Sequence, residues 1–119
     1  MKTLLKSFYF AVQGIAAAFQ SERNFRIHVT VAIIVIAAGL FFNISLIEWI
    51  VILLLIGGML ALELVNTAIE RIADAVSKES HPLLKTAKDA AAGAVLVYAA
   101  VSVVIGFIIF APKIIEVFS

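Results

Sequence analysis

The chain alternates long apolar stretches with short polar ones, and this pattern predicts four helices. Over residues 1–21, apolar side chains recur every three or four positions, which is the spacing of one face of an α-helix. Three longer apolar stretches follow, at about residues 27–43, 46–70 and 85–111. The first is at the short limit for a helix that crosses about 30 Å of hydrocarbon, and the other two exceed that limit. We therefore expect an all-α membrane protein, a single domain over residues 1–119, in which three transmembrane helices follow an amphipathic surface helix.

Single residues indicate the ends and contacts of these helices. Ser21 is placed to cap the helix of the first span. Pro82 suits the first turn of the last helix, with Ser80 or His81 as its cap. The Gly57–Gly58 pair lies within the second span and would let another helix approach closely. We expect the first helix to lie in the membrane interface, and the alternative is that its apolar face packs on the other helices.

Composition supports the membrane class. Hydrophobic residues make up 64% of the chain and the mean hydropathy is +1.15, whereas a soluble domain is typically about half apolar. The absence of cysteine excludes a disulfide framework, thiolate chemistry and a cysteine-bound metal. The net charge of +1 is uninformative about nucleic acid, but there is no polybasic tract, and we expect no nucleic-acid partner.

Basic residues are distributed unevenly between the connections. Eight of the nine lysines and arginines lie in the N-terminal region or at residues 71–88, around the polar connection that precedes the third span, and the ninth is Lys113 near the C-terminus. The turn at residues 43–45 carries none. Since basic residues favour the cytoplasmic side, we expect a multi-pass protein of the cell membrane, with its N-terminus in the cytoplasm and its C-terminus outside. The acids of residues 63–74 then lie at the cytoplasmic face.

Acidic and amide side chains follow the apolar part of the second span at residues 63–74, ELVNTAIERIAD. On an α-helix at about 100° per residue, they share about a third of the circumference. This polar stripe consists of Glu63, Asn66, Thr67, Glu70 and Asp74. An ionisable side chain at membrane depth costs roughly 3 kcal/mol or more, so it requires a functional reason. We interpret the stripe as a metal and phosphate site at the membrane surface.

The residues at this level suit phosphoryl transfer. Mg²⁺ is usually held by one or two carboxylates together with phosphates. Glu22 and Glu70 could supply the carboxylates. Lys85 and Lys88 lie near a helix N-terminus, which also favours the phosphates of a nucleotide. Glu63 could accept a proton from a hydroxyl at the membrane interface. The reaction would then be transfer of a phosphoryl group to a lipid alcohol.

A different class of function could use the same residues. Intramembrane acids also serve proton and ion pathways, and the chain contains no G-x-x-x-x-G-K-[ST] loop and no protein-kinase motif set. A non-enzymatic membrane subunit or ion conduit is therefore the alternative to an enzyme. The outer halves of the spans argue against a conduit, because they offer almost no polar side chain beyond Tyr98 and Ser102.

Two segments carry a more specific pattern: ELVNTAIE at 63–70, followed by Asp74, and AKDAAAGAV at 87–95. The combination of E-x-x-N-T-A-x-E with a later A-K-D resembles the signature of the small prokaryotic diacylglycerol kinase and undecaprenol kinase family. The resemblance covers nearly the whole chain. The form of residues 22–28, ERNFRIH, resembles the undecaprenol branch of Gram-positive bacteria. This favours undecaprenol as the lipid substrate, and diacylglycerol is the alternative.

The resemblance implies a homotrimer that uses ATP and Mg²⁺ at its cytoplasmic face. By position, Glu63 resembles the catalytic base and Asn66 resembles an amide beside the transferred phosphoryl group. Glu22 and Glu70 resemble a metal-binding pair. The residues that resemble nucleotide contacts are Phe10, Glu79, Ser80, His81, Lys88 and Asp89.

Asp74 and Lys85 retain two interpretations each. Asp74 supports the metal site or is a solvated residue at the helix end. Lys85 supports the nucleotide or is an interfacial lysine whose charge extends into water. His28 is interpreted as an interface residue without a role in the chemistry.

Overall fold

The structure, a computed structural model, describes residues 2–119 and consists of four α-helices. They are α1 (Lys2–Ser21), α2 (Arg23–Phe41), α3 (Leu46–Val76) and α4 (Pro82–Phe118). No strand occurs between residues 2 and 119. By length and composition, α2, α3 and α4 could each cross a membrane. The predicted all-α class, with three candidate spans after an N-terminal helix, is confirmed.

Helix α3 is the central element because it packs against each of the other three helices. Its 31 residues correspond to a length of about 46 Å at about 1.5 Å per residue. Since the hydrocarbon layer is about 30 Å thick, one continuous helix can carry both an apolar span and the polar stripe. A capping box begins it: the Ser45 hydroxyl accepts from Glu48 N at 3.2 Å, and Glu48 Oε1 accepts from Ser45 N at 2.9 Å.

The corner between α1 and α2 differs from the prediction. Ser21 is the last residue of α1, where its hydroxyl donates to Ala17 O at 2.7 Å. Glu22 occupies the N-cap position of α2 and makes no side-chain cap. The prediction that Ser21 caps the first span is therefore wrong. The corner is held instead by Arg26, whose guanidinium donates to two of the last carbonyls of α1, at 2.8 and 2.9 Å.

The predicted turn at residues 43–45 and the predicted start of the last helix are confirmed, whereas α3 and α4 extend beyond the apolar stretches at 46–70 and 85–111. Asn43 lies in the turn between α2 and α3 and has a φ of 50°, a left-handed conformation that asparagine tolerates well. His81, rather than Ser80, caps α4, since its Nδ1 accepts from Leu83 N at 3.2 Å. Pro82 is the first residue of that helix.

A glycine sets the approach of α4 to α3, but at only one of the two predicted positions. Tyr98 of α4 donates its hydroxyl hydrogen to Leu54 O at 3.0 Å, and a Cβ at Gly58 would overlap the Tyr98 ring. A Cβ at Gly57 would meet no atom within 4 Å. In the described chain, Gly58 therefore permits the close approach that the pair was predicted to provide, and Gly57 faces open space.

The end of the bundle away from the polar stripe is closed by an apolar cluster and an ion pair. Ile44, Ile52 and Ile109 are buried together there. Lys113 Nζ of α4 lies 3.2 Å from Glu48 Oε1 of α3. These contacts join α4 to α3 at this end of the bundle.

Helix α1 does not pack on the bundle through its line of large apolar side chains. Ala18 is its buried residue, whereas Leu4, Phe8, Val12, Ile15 and Phe19 are all exposed in the single chain. The alternative, in which this apolar face covers the other helices, is therefore not what the chain adopts. Placement of the exposed face in the membrane interface stays a prediction.

Candidate functional site

The polar stripe of α3 changes from buried to exposed along the helix. Glu63, Asn66 and Thr67 are only 3%, 7% and 5% exposed. Glu70 is half-buried and Asp74 is exposed. One helix face thus runs from the interior of the bundle to its surface, as the pattern of residues 63–74 predicts.

The buried part of the stripe is centred on Glu63. His28 of α2 lies against it, with 3.7 Å between His28 Nε2 and Glu63 Oε2. The carboxylates of Glu22 and Glu70 are near enough for their charges to act on it. Glu63 therefore combines deep burial with one basic and two acidic neighbours. An ionisable side chain at membrane depth has a high free-energy cost, so its presence there indicates a function.

Asn66 connects the buried part of the stripe to its open part. Its Nδ2 donates to Glu70 Oε1 at 3.2 Å. Its Oδ1 is buried and has no hydrogen-bond partner in the described chain. An unpaired buried acceptor costs about 1–3 kcal/mol. A ligand that donates a hydrogen bond to this oxygen, or a cation that binds it, would remove that cost.

Glu22 reaches the level of the stripe through an ion pair. Arg71 Nη2 of α3 lies 3.5 Å from Glu22 Oε1, and the same guanidinium donates to Ser21 Oγ. Because Arg71 follows Glu70 directly, the two predicted metal ligands lie at the same end of the bundle. Among residues 2–119, no three His, Cys, Asp or Glu side chains are grouped closely enough to hold a metal ion by themselves.

An open cleft of about 520 Å³ lies between the end of α3 and the start of α4. Eight of the predicted site residues line it: Glu70, Asp74, Glu79, Ser80, His81, Lys85, Lys88 and Asp89. Ser77 and Lys78 also line the cleft and were not predicted, although a basic residue in the polar connection was an available signal. Glu70 both lines the cleft and bonds to Asn66, so it is the point where the cleft meets the buried acid.

Two ion pairs hold the lysines of the cleft. Lys88 Nζ of α4 lies 2.6 Å from Asp74 Oδ1 of α3. Lys85 Nζ lies 2.6 Å from Asp89 Oδ2, one turn along α4. Exposed pairs of this kind contribute only about 0–1 kcal/mol to stability, so a phosphate could draw either lysine away at little cost.

Phe10 is not brought to the cleft by the single chain. It lies on α1, is 63% exposed, and its ring neighbours that of Tyr9 at 5.8 Å between centroids. Conversely, His28 and Arg71 contact site residues but were not predicted to do so. Their basic character, opposite to that of the acidic stripe, was the signal that could have indicated them.

A second cavity, an apolar groove of about 220 Å³, lies between α2, α3 and α4. Its walls are almost entirely apolar, with residues from Val31 to Phe110, and Ser102 is a polar exception. His28 lines the same groove. The groove therefore reaches the side chain that lies against Glu63.

The fold and the site together define a helical membrane protein with a charged cleft at one end of its bundle, a buried acid beside it and an apolar groove next to that acid. Residues 9–110 match the sequence profile of the family described as prokaryotic diacylglycerol kinase. The chain belongs to this family. Its predicted identity as a membrane lipid kinase is thereby confirmed.

Named relatives agree with this assignment. The chain is 50% identical over 113 residues to the undecaprenol kinase of Bacillus subtilis, a match that covers 95% of this chain and 92% of that protein. It is 40% identical over 114 residues to a diacylglycerol kinase of Synechocystis, and the match covers 95% of this chain and 65% of that protein. It is 32% identical over 96 residues to a diacylglycerol kinase of Helicobacter pylori, and the match covers 81% of this chain and 75% of that protein.

Proposed function

We propose that the chain transfers the γ-phosphoryl group of ATP to undecaprenol, with Glu63 as the general base. The observation that carries this proposal is the burial of Glu63 next to both an apolar groove and a charged cleft. Undecaprenol is favoured by the 50% identity to an undecaprenol kinase and by the ERNFRIH segment at 22–28. Diacylglycerol is the second candidate, because other relatives carry that name.

The cleft between α3 and α4 is the proposed site for ATP. Lys85 and Lys88 would contact the phosphates, and the N-terminus of α4 adds a favourable dipole for anions. The loop of Glu79, Ser80 and His81 would lie against the nucleotide, as the family resemblance implies. Asp89 and Asp74 keep the two lysines inside the cleft before ATP binds.

The donor set at the junction of cleft and stripe fits Mg²⁺. This ion prefers oxygen ligands and is usually bound by one or two carboxylates together with substrate phosphates, so a small protein donor set is sufficient. Glu22 and Glu70 would hold it, and Asn66, which bonds to Glu70, offers its unpaired Oδ1 as a further oxygen. When bound, the ion neutralises charge on the transferring phosphates.

The chain's own groups then account for the transfer. The Glu63 carboxylate takes the proton of the lipid hydroxyl as that oxygen forms a bond to the γ-phosphorus. The bond from phosphorus to the bridging oxygen breaks, and ADP leaves with that electron pair. Asn66 orients the reacting groups, and the lysines stabilise the negative charge on the phosphates. Burial of Glu63 keeps water away from the reacting centre, which limits wasteful hydrolysis of ATP.

We also propose a homotrimer with its active sites at the cytoplasmic face. The cytoplasmic placement is supported by the basic residues, because eight of the nine lie in the N-terminal region or at residues 71–88. The ninth, Lys113, is paired with Glu48 near the start of α3. In a trimer, Phe10 would reach a nucleotide only if a neighbouring chain supplied it or α1 moved. Cross-linking of single-cysteine variants at position 10 and in the cleft would test this, since the natural chain has no cysteine.

The experiment that tests the function is a phosphorylation assay on the purified protein in lipid. Wild type is incubated with labelled ATP and Mg²⁺, separately with undecaprenol and with a short-chain diacylglycerol, and labelled lipid is measured. We expect faster product formation with undecaprenol. Faster product formation with diacylglycerol would replace the substrate and keep the reaction. No product from either lipid, in a folded protein, would favour a non-enzymatic subunit or conduit instead.

A further inference from the structure

His28 lies against the proposed base but has no role in the reaction described above. It comes from α2, whereas the polar stripe belongs entirely to α3. Its Nε2 lies 3.7 Å from Glu63 Oε2, and in the described chain it is the basic side chain within 4.0 Å of that carboxylate. The His28 side chain is 23% exposed and that of Glu63 only 4%. His28 is therefore a partly covered contact between two helices, not a solvated interface residue.

The same imidazole forms part of the wall of the apolar groove between α2, α3 and α4. A hydrocarbon chain in this groove would place its polar end towards His28, because the remaining wall is almost entirely apolar. The hydroxyl at that end would then meet Glu63 beside the His28 ring. His28 thus lies where the lipid and the base must come together.

The geometry matters because a general base must lie within hydrogen-bond reach of the proton that it accepts. A glutamate side chain has several rotatable bonds, and a displacement of about 1 Å in an active site can lower the rate about 100-fold. A separation of 3.7 Å is longer than a formed hydrogen bond. Catalytic contacts are often long before substrate binds and tighten in the complex.

We propose that His28 is a positioning residue: its Nε2–H holds the Glu63 carboxylate towards the end of the apolar groove, where the lipid hydroxyl is presented. This inference rests on the proposed lipid kinase reaction and adds a second helix to the catalytic arrangement. His28 acts through Glu63 and does not itself exchange a proton with the substrate.

Two substitutions separate positioning from packing. His28→Gln places an amide N–H close to the position of Nε2, whereas His28→Phe keeps a ring of similar size without any donor. We expect His28→Phe to lower kcat about 10–100-fold, because the base loses its orientation. KM for ATP should stay unchanged, because His28 does not line the nucleotide cleft. His28→Gln should retain kcat within about threefold of wild type. Wild-type kcat in His28→Phe, or equal losses in both variants, would overturn the proposal.

A spectroscopic measurement tests the contact without relying on activity. The chain has two histidines, so selective ¹⁵N labelling gives two sets of ring signals, which His81→Asn assigns. We expect Glu63→Gln to shift the ring nitrogen signals of His28 and to leave those of His81 in place. Unchanged His28 signals would overturn the contact. A wild type that phosphorylates neither lipid would instead overturn the proposed function, and the positioning role with it, even if the His28 signals respond.

Discussion

The approach of α4 to α3 depends on the missing side chain of Gly58, and this gives a sharp stability prediction. A Cβ at Gly58 would overlap the Tyr98 ring, whose hydroxyl bonds to Leu54 O at 3.0 Å. In Gly58→Ala the tyrosine must move, which breaks an interhelical hydrogen bond worth about 0.6 kcal/mol in membranes and adds overpacking strain of about 1–3 kcal/mol. The two costs together predict a loss of roughly 2–4 kcal/mol in the free energy of unfolding.

The neighbouring glycine supplies the matched control. A Cβ at Gly57 meets no atom within 4 Å, so Gly57→Ala should change stability by less than about 0.5 kcal/mol, as surface substitutions usually do. Trp49 is the single tryptophan, and its fluorescence during reversible unfolding in mixed detergent with SDS measures both variants. Equal effects at the two positions would refute the reasoning. In a Tyr98→Ala background the cost of Gly58→Ala should largely disappear, because the two residues then no longer conflict.

Two further predictions concern the cleft and the metal. Lys88→Met should raise KM for ATP about 10-fold or more, since a charge-assisted contact to phosphate is worth about 1.5–3 kcal/mol, and steady-state kinetics at varied ATP measures this; an unchanged KM would remove Lys88 from the nucleotide site. Glu70→Gln should shift the Mg²⁺ dependence of the rate to higher concentration, because one anionic ligand is lost. The measurement is a titration of the rate against Mg²⁺, with Glu116→Gln near the C-terminus as control. Identical curves for both variants would argue against Glu70 as a ligand.

The elements that the sequence predicts well are those determined locally. Long apolar stretches and a 3.6-residue period depend only on the chain itself, so the four helices and the stripe at 63–74 follow directly. The cap at His81 is equally local, because a Pro at the first helical position leaves few choices for the residue before it. The family motif implies roles for residues on α3 and α4 that periodicity cannot distinguish, and these roles remain predictions.

The features that the sequence does not predict are set by contacts between helices. Ser21 ends α1 rather than capping α2 because Arg26 and Arg71 hold the corner from elsewhere in the chain. The meeting of His28 with Glu63 depends on the rotation of α2 about its axis relative to α3, which no local pattern encodes. The same holds for the choice between Gly57 and Gly58, since only the position of Tyr98 decides it.

The most direct test of the central claim compares two glutamates of the same helix. Glu63 is buried at the proposed reaction centre, whereas Glu48 lies at the other end of α3 and pairs with Lys113. The measurement is the rate of undecaprenol phosphorylation at saturating ATP and Mg²⁺ by wild type, Glu63→Gln and Glu48→Gln. We expect Glu63→Gln to lose about 100–10,000-fold in kcat, the usual contribution of a general base, and Glu48→Gln to remain near wild type. A Glu63→Gln variant that keeps the wild-type rate would contradict the account.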